Sequence, residues 1–264
     1  MLITIRNSCI IILAHVATCS LQAQSLSQQV IASAGGVMTS SAASLSFTVG
    51  ETQTQTFTAA GHTLTQGFQQ PFTLTLHLKA WLQGYDMAAV SMASVLMNQG
   101  VATASPDQTD SITIELRSAT PPYTLVGATQ QIIPTNGVLT YHGLTTIGQS
   151  CFIVIKHRNH LETWSANPVL LTDNTNYDFS TAASQAYGSN QVEVAPGLFA
   201  IYSGDMNQDG FVDSFDFPLL DIDIFNGVSG VYASTDLNGD GFVDSFDFPI
   251  FDLNSFNGVS AMIP

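Results

Sequence analysis

Basic residues are scarce: Lys and Arg together number 5 against 20 Asp and Glu in a chain of 264 residues. Neutralising phosphates takes a basic patch, so neither nucleic acid nor an anionic membrane surface is an expected partner. Cysteine is nearly as rare, at 3 residues, and tryptophan rarer, at 2. The apolar runs fall short of the ~20 residues that a membrane-spanning helix requires, so no membrane span is expected. No Gly-x-Ser-x-Gly, His-Glu-x-x-His or phosphate-loop glycine pattern occurs. Each of those motifs supplies a nucleophile elbow, a zinc site or a phosphate cradle, and without them the chain is expected to be non-catalytic.

Residues 1–23 carry Arg6, an apolar run through Ile10, Ile11, Ile12, Leu13 and Val16, and then Leu21-Gln22-Ala23. That is the pattern of a secretory signal peptide cleaved after Ala23, which predicts a secreted or cell-surface protein. Cleavage removes Cys9 and Cys19 and leaves Cys151 alone, so no internal disulfide is expected. Cys151 opens the apolar run Cys151-Phe152-Ile153-Val154-Ile155, which lacks the cationic neighbours of a reactive thiol and predicts a buried, inert one.

From Gln24 to about Pro71 the chain is rich in Thr, Ser and Gln, with alternating stretches such as Leu45-Ser46-Phe47-Thr48-Val49. Period two between turn residues predicts half-buried strands. A clearer strand follows, with Leu74, Leu76, Leu78, Ala80 and Leu82 on one face and Thr73, Thr75, His77 and Lys79 on the other. Asp86 to Gly100 is the one expected helix of this part, capped by Asp86 and ended by Gly100. Strand patterns resume at Ile112 to Leu116, Tyr123 to Val126, Cys151 to His157, Trp164 to Leu171, Gln191 to Val194 and Leu198 to Tyr202. Short strands separated by Gly, Pro and Asn predict a mainly β chain: an N-terminal β-rich segment over 24–71 and an antiparallel β-sandwich, immunoglobulin-like or prealbumin-like, over 72–203.

After Gly204 the texture changes. Eleven of the acidic residues, Asp205 to Asp252, fall within 48 positions, and Asp205-Met-Asn-Gln-Asp-Gly-Phe-Val-Asp-Ser-Phe-Asp-Phe-Pro recurs from Asp236 with a period of 31. Calcium takes about six to eight oxygens, and a loop of about twelve residues supplies them from alternate positions around a glycine turn. Counted from Asp205, the ligand positions hold Asp205, Asn207, Asp209, the Phe211 carbonyl, Asp213 and Asp216, with Gly210 at the turn. Counted from Asp236 they hold Asp236, Asn238, Asp240, the Phe242 carbonyl, Asp244 and Asp247, with Gly241 at the turn. Four carboxylates per loop repel one another until a divalent ion arrives, and magnesium demands tighter octahedral geometry, so two calcium ions are expected. The residues before each loop read as strand or coil, whereas Ser214 to Ile224 and Ser245 to Ser255 have helical spacing, with Pro218 and Pro249 early enough for a first turn.

A duplicated loop-then-helix with Asp at the twelfth loop position resembles the dockerin module, the calcium-dependent half of the cohesin–dockerin pair. The resemblance covers about 203–264 and implies a small dockerin-like domain over 204–264 with a cohesin-like or other cell-surface protein as partner. In that family the tenth and eleventh loop positions lie on the partner-recognition face, which here implies Ser214, Phe215, Ser245 and Phe246. Dockerin helices usually carry Lys or Arg soon after the loop, whereas this chain has Leu219-Leu220-Asp221 and Ile250-Phe251-Asp252. Ala34-Gly35-Gly36, Val49-Gly50-Glu51, Leu64 to Pro71 and Val154 to Ala166 resemble segments of bacterial surface proteins exported by type IX secretion.

Lys156, His157, Arg158, His160 and Glu162 crowd into seven residues. On a strand His157 faces away from Lys156 and Arg158, and a turn near Asn159 is expected to separate His157 from His160, so the segment reads as a structural strand and turn. Trp81 and Trp164 read as core residues. If aromatic side chains line the sandwich face instead, the alternative is a carbohydrate-binding module with a polysaccharide as partner.

Overall fold

The computed structural model describes the strands at 34–39, 44–49, 56–59 and 62–65, and then residues 74–87, 91–143 and 147–264. The expected leader, 1–23, lies outside the described residues, as do Gly50-Glu51 and 66–71. The chain divides into two compact units, Met1–Gln70 and Pro71–Pro264.

In the first unit β1 (Ala34–Thr39) pairs antiparallel with β2 (Ser44–Val49), and β3 (Thr56–Ala59) with β4 (His62–Thr65). The alternation in Leu45 to Val49 falls on β2, a strand as expected.

The second unit begins with β5 (Leu74–Lys79), then β6 (Asp86–Met87), β7 (Ser91–Met92) and the single turn α1 (Val95–Asn98). Longer strands follow: β8 (Gln108–Ser118), β9 (Leu125–Pro134), β10 (Val138–Gly143), β11 (Ser150–His157) and β12 (His160–Trp164). Four short ones complete the β part: β13 (Val169–Leu170), β14 (Thr175–Asp178), β15 (Val192–Ala195) and β16 (Leu198–Ala200). One sheet has the order β12-β11-β8-β9 with β13 also on β11, a second has the order β10-β5-β14, and β6-β7 and β15-β16 are two-stranded pairs. Leu74, Leu76 and Leu78 of β5, Ile112, Ile114 and Leu116 of β8, and Cys151, Ile153 and Ile155 of β11 share one buried core, so the two sheets form a sandwich. The alternation read from the sequence sets that register, since every second residue of a strand turns to the same face.

Two expectations are corrected. The helix from Asp86 to Gly100 shrinks to α1, because Ala93 donates to the Tyr85 carbonyl at 2.6 Å and Met92 donates to the Thr135 carbonyl at 2.7 Å. Tertiary pairing of Met92 and Ala93 takes precedence over helix propensity there, and Gly100 still follows the helix end with φ 74°. The sandwich is also not purely antiparallel, since β14 runs parallel to β5. Trp81 and Trp164 are both buried, as expected of core residues. Trp164 packs edge-on with Phe152 and Tyr123 in a smaller cluster of its own.

The chain ends with α2 (Phe217–Asn226) and α3 (Phe248–Phe256), each with proline in its first turn. Met206, Val212, Leu220, Leu237, Val243 and Phe251 bury a separate small core together with Leu161 of β12. The two copies are interleaved. Val212 of the first loop donates to the Val259 carbonyl after α3 at 3.0 Å, and Val243 of the second donates to the Val228 carbonyl after α2 at 2.9 Å.

Candidate metal centre and docking face

The carboxylate at the twelfth position spans its loop in both copies. Asp216 Oδ1 accepts from the backbone N–H groups of Met206 (2.8 Å) and Asn207 (3.0 Å), and its Oδ2 accepts from that of Asp213 (3.0 Å). Asp247 repeats the pattern with Leu237 (2.7 Å), Asn238 (3.0 Å) and Asp244 (2.9 Å). At the first position Asp205 accepts from Asp209 and Gly210, and Asp236 accepts from Gly239 and Gly241. Asn207, Asp209 and Asp213 each cap the N–H two residues on, and Asn238, Asp240 and Asp244 do the same. Local side-chain to backbone bonds of this kind are what Asp and Asn favour in turns, so the residues that bear the oxygens also shape the loop.

Asp205, Asp216, Asp236 and Asp247 are buried, whereas Asp209 and Asp240 reach solvent. Burial, with repulsion from Asp216 and Asp209, pushes the Asp205 carboxyl up to about 7. Burial outweighs three backbone donors and pushes Asp247 up to about 6, and it also raises Asp216 and Asp236. Among the described residues no group of three or more His, Cys, Asp or Glu side chains is gathered as a ready cluster for a metal ion. The carboxylates of each loop are instead turned onto N–H groups. In kind the donors fit calcium: each loop offers carboxylates, an amide oxygen and a peptide carbonyl, all hard oxygens, and the burial and, after it, the carboxylate repulsion that raise Asp205 are costs that a divalent cation offsets.

The four residues expected on the recognition face, Ser214, Phe215, Ser245 and Phe246, are all exposed, the two rings by 73% and 72%. Phe217 and Phe248 meet edge-on with centroids 6.0 Å apart, which brings the N-terminal ends of α2 and α3 together. Phe211, Phe225, Phe242 and Phe256 are also exposed. No Lys or Arg lies between Asp205 and Pro264, so the only charges that this surface offers are acidic.

The histidine cluster requires a correction. His157 and His160 are not separated by the turn at Asn159 but are cross-strand partners, Nδ1 to Nδ1 at 2.8 Å. His157 Nε2 lies 3.1 Å from Asp110, which also receives Arg158 at 2.8 Å. Burial raises the Asp110 carboxyl, but His157, Arg158 and the Ser111 N–H outweigh it and hold it below the usual carboxylate range. His160 is fully enclosed and its Nε2–H donates to the Gln83 carbonyl (3.0 Å), and burial holds it well below the ordinary histidine value. Lys156 pairs with Glu115 and Glu162 on the opposite face of β11. The cluster is thus a buried polar joint, formed with the distant Asp110 and Tyr85, which no local spacing indicates.

A set of polar residues that sequence reasoning missed ties the loops to the sandwich. Gln99 Nε2 donates to Asp236 Oδ2 at 2.8 Å, and Asn98 Nδ2 donates to the Gly239 carbonyl at 2.8 Å. Asn159 Nδ2 donates to the Asp236 carbonyl at 3.1 Å. Gln83, Ser203 and Asn254 form a further buried triangle.

Two adjacent loop–helix calcium-type motifs packed as one unit define the class of the C-terminal module. Residues 203–251 match the family model described as dockerin type I domain, so this segment is a dockerin-like module. Dockerin domains generally bind calcium. Comparison with curated proteins found no match. Among solved structures the chain is similar to a C-terminal interface mutant of a type II cohesin–X–dockerin complex from Acetivibrio cellulolyticus, at 16% identity and a TM-score of 0.42, over 71% of this chain and 97% of that one. It is also similar to an N-terminal interface mutant of that complex, at 18% identity and a TM-score of 0.40, over 69% and 95% of the two chains. Among the described residues no helix is long and apolar enough to cross a membrane.

Proposed function

We propose that this is a secreted, non-catalytic docking protein in which a β-sandwich carries a dockerin-like module that holds two calcium ions and binds a cohesin-like partner on the cell surface. The ions are held by Asp205, Asn207, Asp209, the Phe211 carbonyl, Asp213 and Asp216, and by Asp236, Asn238, Asp240, the Phe242 carbonyl, Asp244 and Asp247. The partner meets Ser214, Phe215, Ser245 and Phe246. The observation that carries the reading is the dockerin match over 203–251, joined to the exposure of the Ser-Phe pair at the same place in both loops. Large aromatic residues with accessible faces are the usual anchors of protein interfaces. The experiment is binding of the purified chain to recombinant cohesin domains with and without calcium. Binding should require calcium and fall more than tenfold in the double variant Phe215→Asp, Phe246→Asp. Calcium-independent binding, or binding indifferent to both substitutions, would overturn the assignment.

One feature favours a second reading, a carbohydrate-binding surface. An open groove of about 540 Å³ is lined by Ser111, Gln130, Gln131, Ile132 and Tyr232, a mix of amides, hydroxyls and one exposed ring suited to sugar hydroxyls and faces. A glycan array with wild type and Tyr232→Ala separates the two.

A further inference from the structure

Over the fourteen residues from Asp205 and from Asp236 the two copies differ at two positions only, Met206 against Leu237 and Gln208 against Gly239. Gln208 has φ 60° and Gly239 has φ 73°, so both copies take the left-handed backbone there and the glycine is not needed for conformation. It is needed for space. A Cβ on Gly239 would stand 2.4 Å from Val95 Cγ2 and 2.9 Å from Tyr85 Cδ1, both on the sandwich.

Gln208 has a second role that the glycine cannot perform. Its Nε2 donates to the carbonyl of Asp205 at 2.6 Å and so closes the first loop on itself. In the second loop the equivalent carbonyl, that of Asp236, accepts instead from Asn159 Nδ2 at 3.1 Å and from Tyr85 Oη at 3.4 Å. Further contacts have no counterpart in the first loop. Gln99 holds Asp236 Oδ2 at 2.8 Å while its own Oε1 accepts from the Tyr232 N–H at 2.9 Å, and Asn98 holds the Gly239 carbonyl at 2.8 Å. A carboxylate has about four lone-pair positions, so Asp236 keeps room for a cation beside these donors. Arg158, the nearest positive charge in this joint, is neutralised by Asp110 at 2.8 Å.

We infer that the sandwich completes the second calcium loop and not the first, with Gln99, Asn98, Asn159 and Tyr85 acting as positioning residues, so that the two sites are unequal and the second binds calcium more tightly. Partners behind a metal ligand fix its orientation, and their loss typically weakens metal binding by about 10–100-fold. A loop already ordered by its surroundings also gives up less freedom when the ion arrives. By reciprocity, an ion in the second loop strengthens the joint to the sandwich, and an ion in the first loop does not. The inference rests on the calcium reading above.

The test is calorimetric calcium titration of the chelated full chain, with Asp209→Ala to silence the first loop and Asp240→Ala to silence the second. Two unequal sites are expected, with the tighter lost in Asp240→Ala and the weaker in Asp209→Ala. Gln99→Ala should weaken only the tighter site, by about 10–100-fold. Gln208→Gly, on an exposed loop turn and therefore no threat to the sandwich, should weaken only the other. Hydrogen exchange gives a readout independent of affinity: filling the tighter site should slow the amides of 95–99, and filling the weaker one should leave them unchanged. Two equal sites, or a Gln99→Ala effect on both or on neither, would overturn the inference while leaving calcium binding intact. Failure to bind any calcium would overturn the reading beneath it as well.

Discussion

Asn254 of α3 donates its side-chain N–H to Gln83 Oε1 at 2.7 Å, and both side chains are buried at the seam between sandwich and module. The same Asn254 amide reaches the Ser203 carbonyl at 2.7 Å, and the Ser203 N–H returns to Gln83 Oε1 at 3.0 Å. The seam is therefore specified by polar groups that satisfy one another, as well as by the apolar contact of Leu161 with the module core.

Removing one member strands the others. Asn254→Ala leaves the Ser203 carbonyl short of a donor inside the protein, which costs about 1–3 kcal/mol. In limited proteolysis the variant should release its C-terminal module sooner than wild type at the same calcium concentration. An unchanged release rate would show that the triangle does not hold the seam.

In chelator, the module and the sandwich should respond to pH with opposite signs. Asp205, raised to about 7, and Asp247, raised to about 6, have folded values above the unfolded 3.8. Their contribution is fully present below about pH 4 and is lost as pH rises toward 7, because the unfolded chain then holds fewer protons than the folded one. His160 is held below its unfolded value, so its contribution is present above about 6.5 and falls away as the solution is acidified, and the lowered Asp110 acts in the same direction at lower pH. Hydrogen exchange in chelator, corrected for its intrinsic pH dependence, should show the loop amides better protected at pH 5 than at pH 8 and the β11–β12 amides the reverse. The same sign in both regions would contradict the assignment.

Cys151 is buried between the sheets, and burial pushes its thiol up from the ordinary value. It should resist alkylation in the native protein and react at once on denaturation. Fast native labelling would contradict the burial.

The sequence showed the duplicated loop–helix motif of the dockerin-like module, because a twelve-residue loop with its turn glycine is a local object, written twice. It showed β5, β8 and β11 for a related reason, since Leu74, Leu76 and Leu78 alternate because one face is buried, and that pattern needs no knowledge of the partner sheet. It marked neither β10 nor β14 and read β13 as part of one strand from Trp164. What it hid was non-local. The stretch from Asp86 carries helix-like spacing, but the carbonyls of Tyr85 and Thr135 capture Ala93 and Met92, and Thr135 is remote in the chain. Gln83, Gln99 and Asn159 carry no local signal of their partners, and only the fold sets them against Asn254 and Asp236. One signal was available, the single Gly239 in place of Gln208 in an otherwise repeated loop, and its reason lies in Val95 and Tyr85, more than a hundred residues earlier.

Each loop lends a backbone hydrogen bond to the tail of the other copy, and occupancy of the two loops is the quantity on which the account depends. Calorimetric titration of the chelated protein with calcium measures it directly. The account predicts a stoichiometry near two, falling to one in either Asp209→Ala or Asp240→Ala. A stoichiometry of zero in the folded wild-type protein would contradict it.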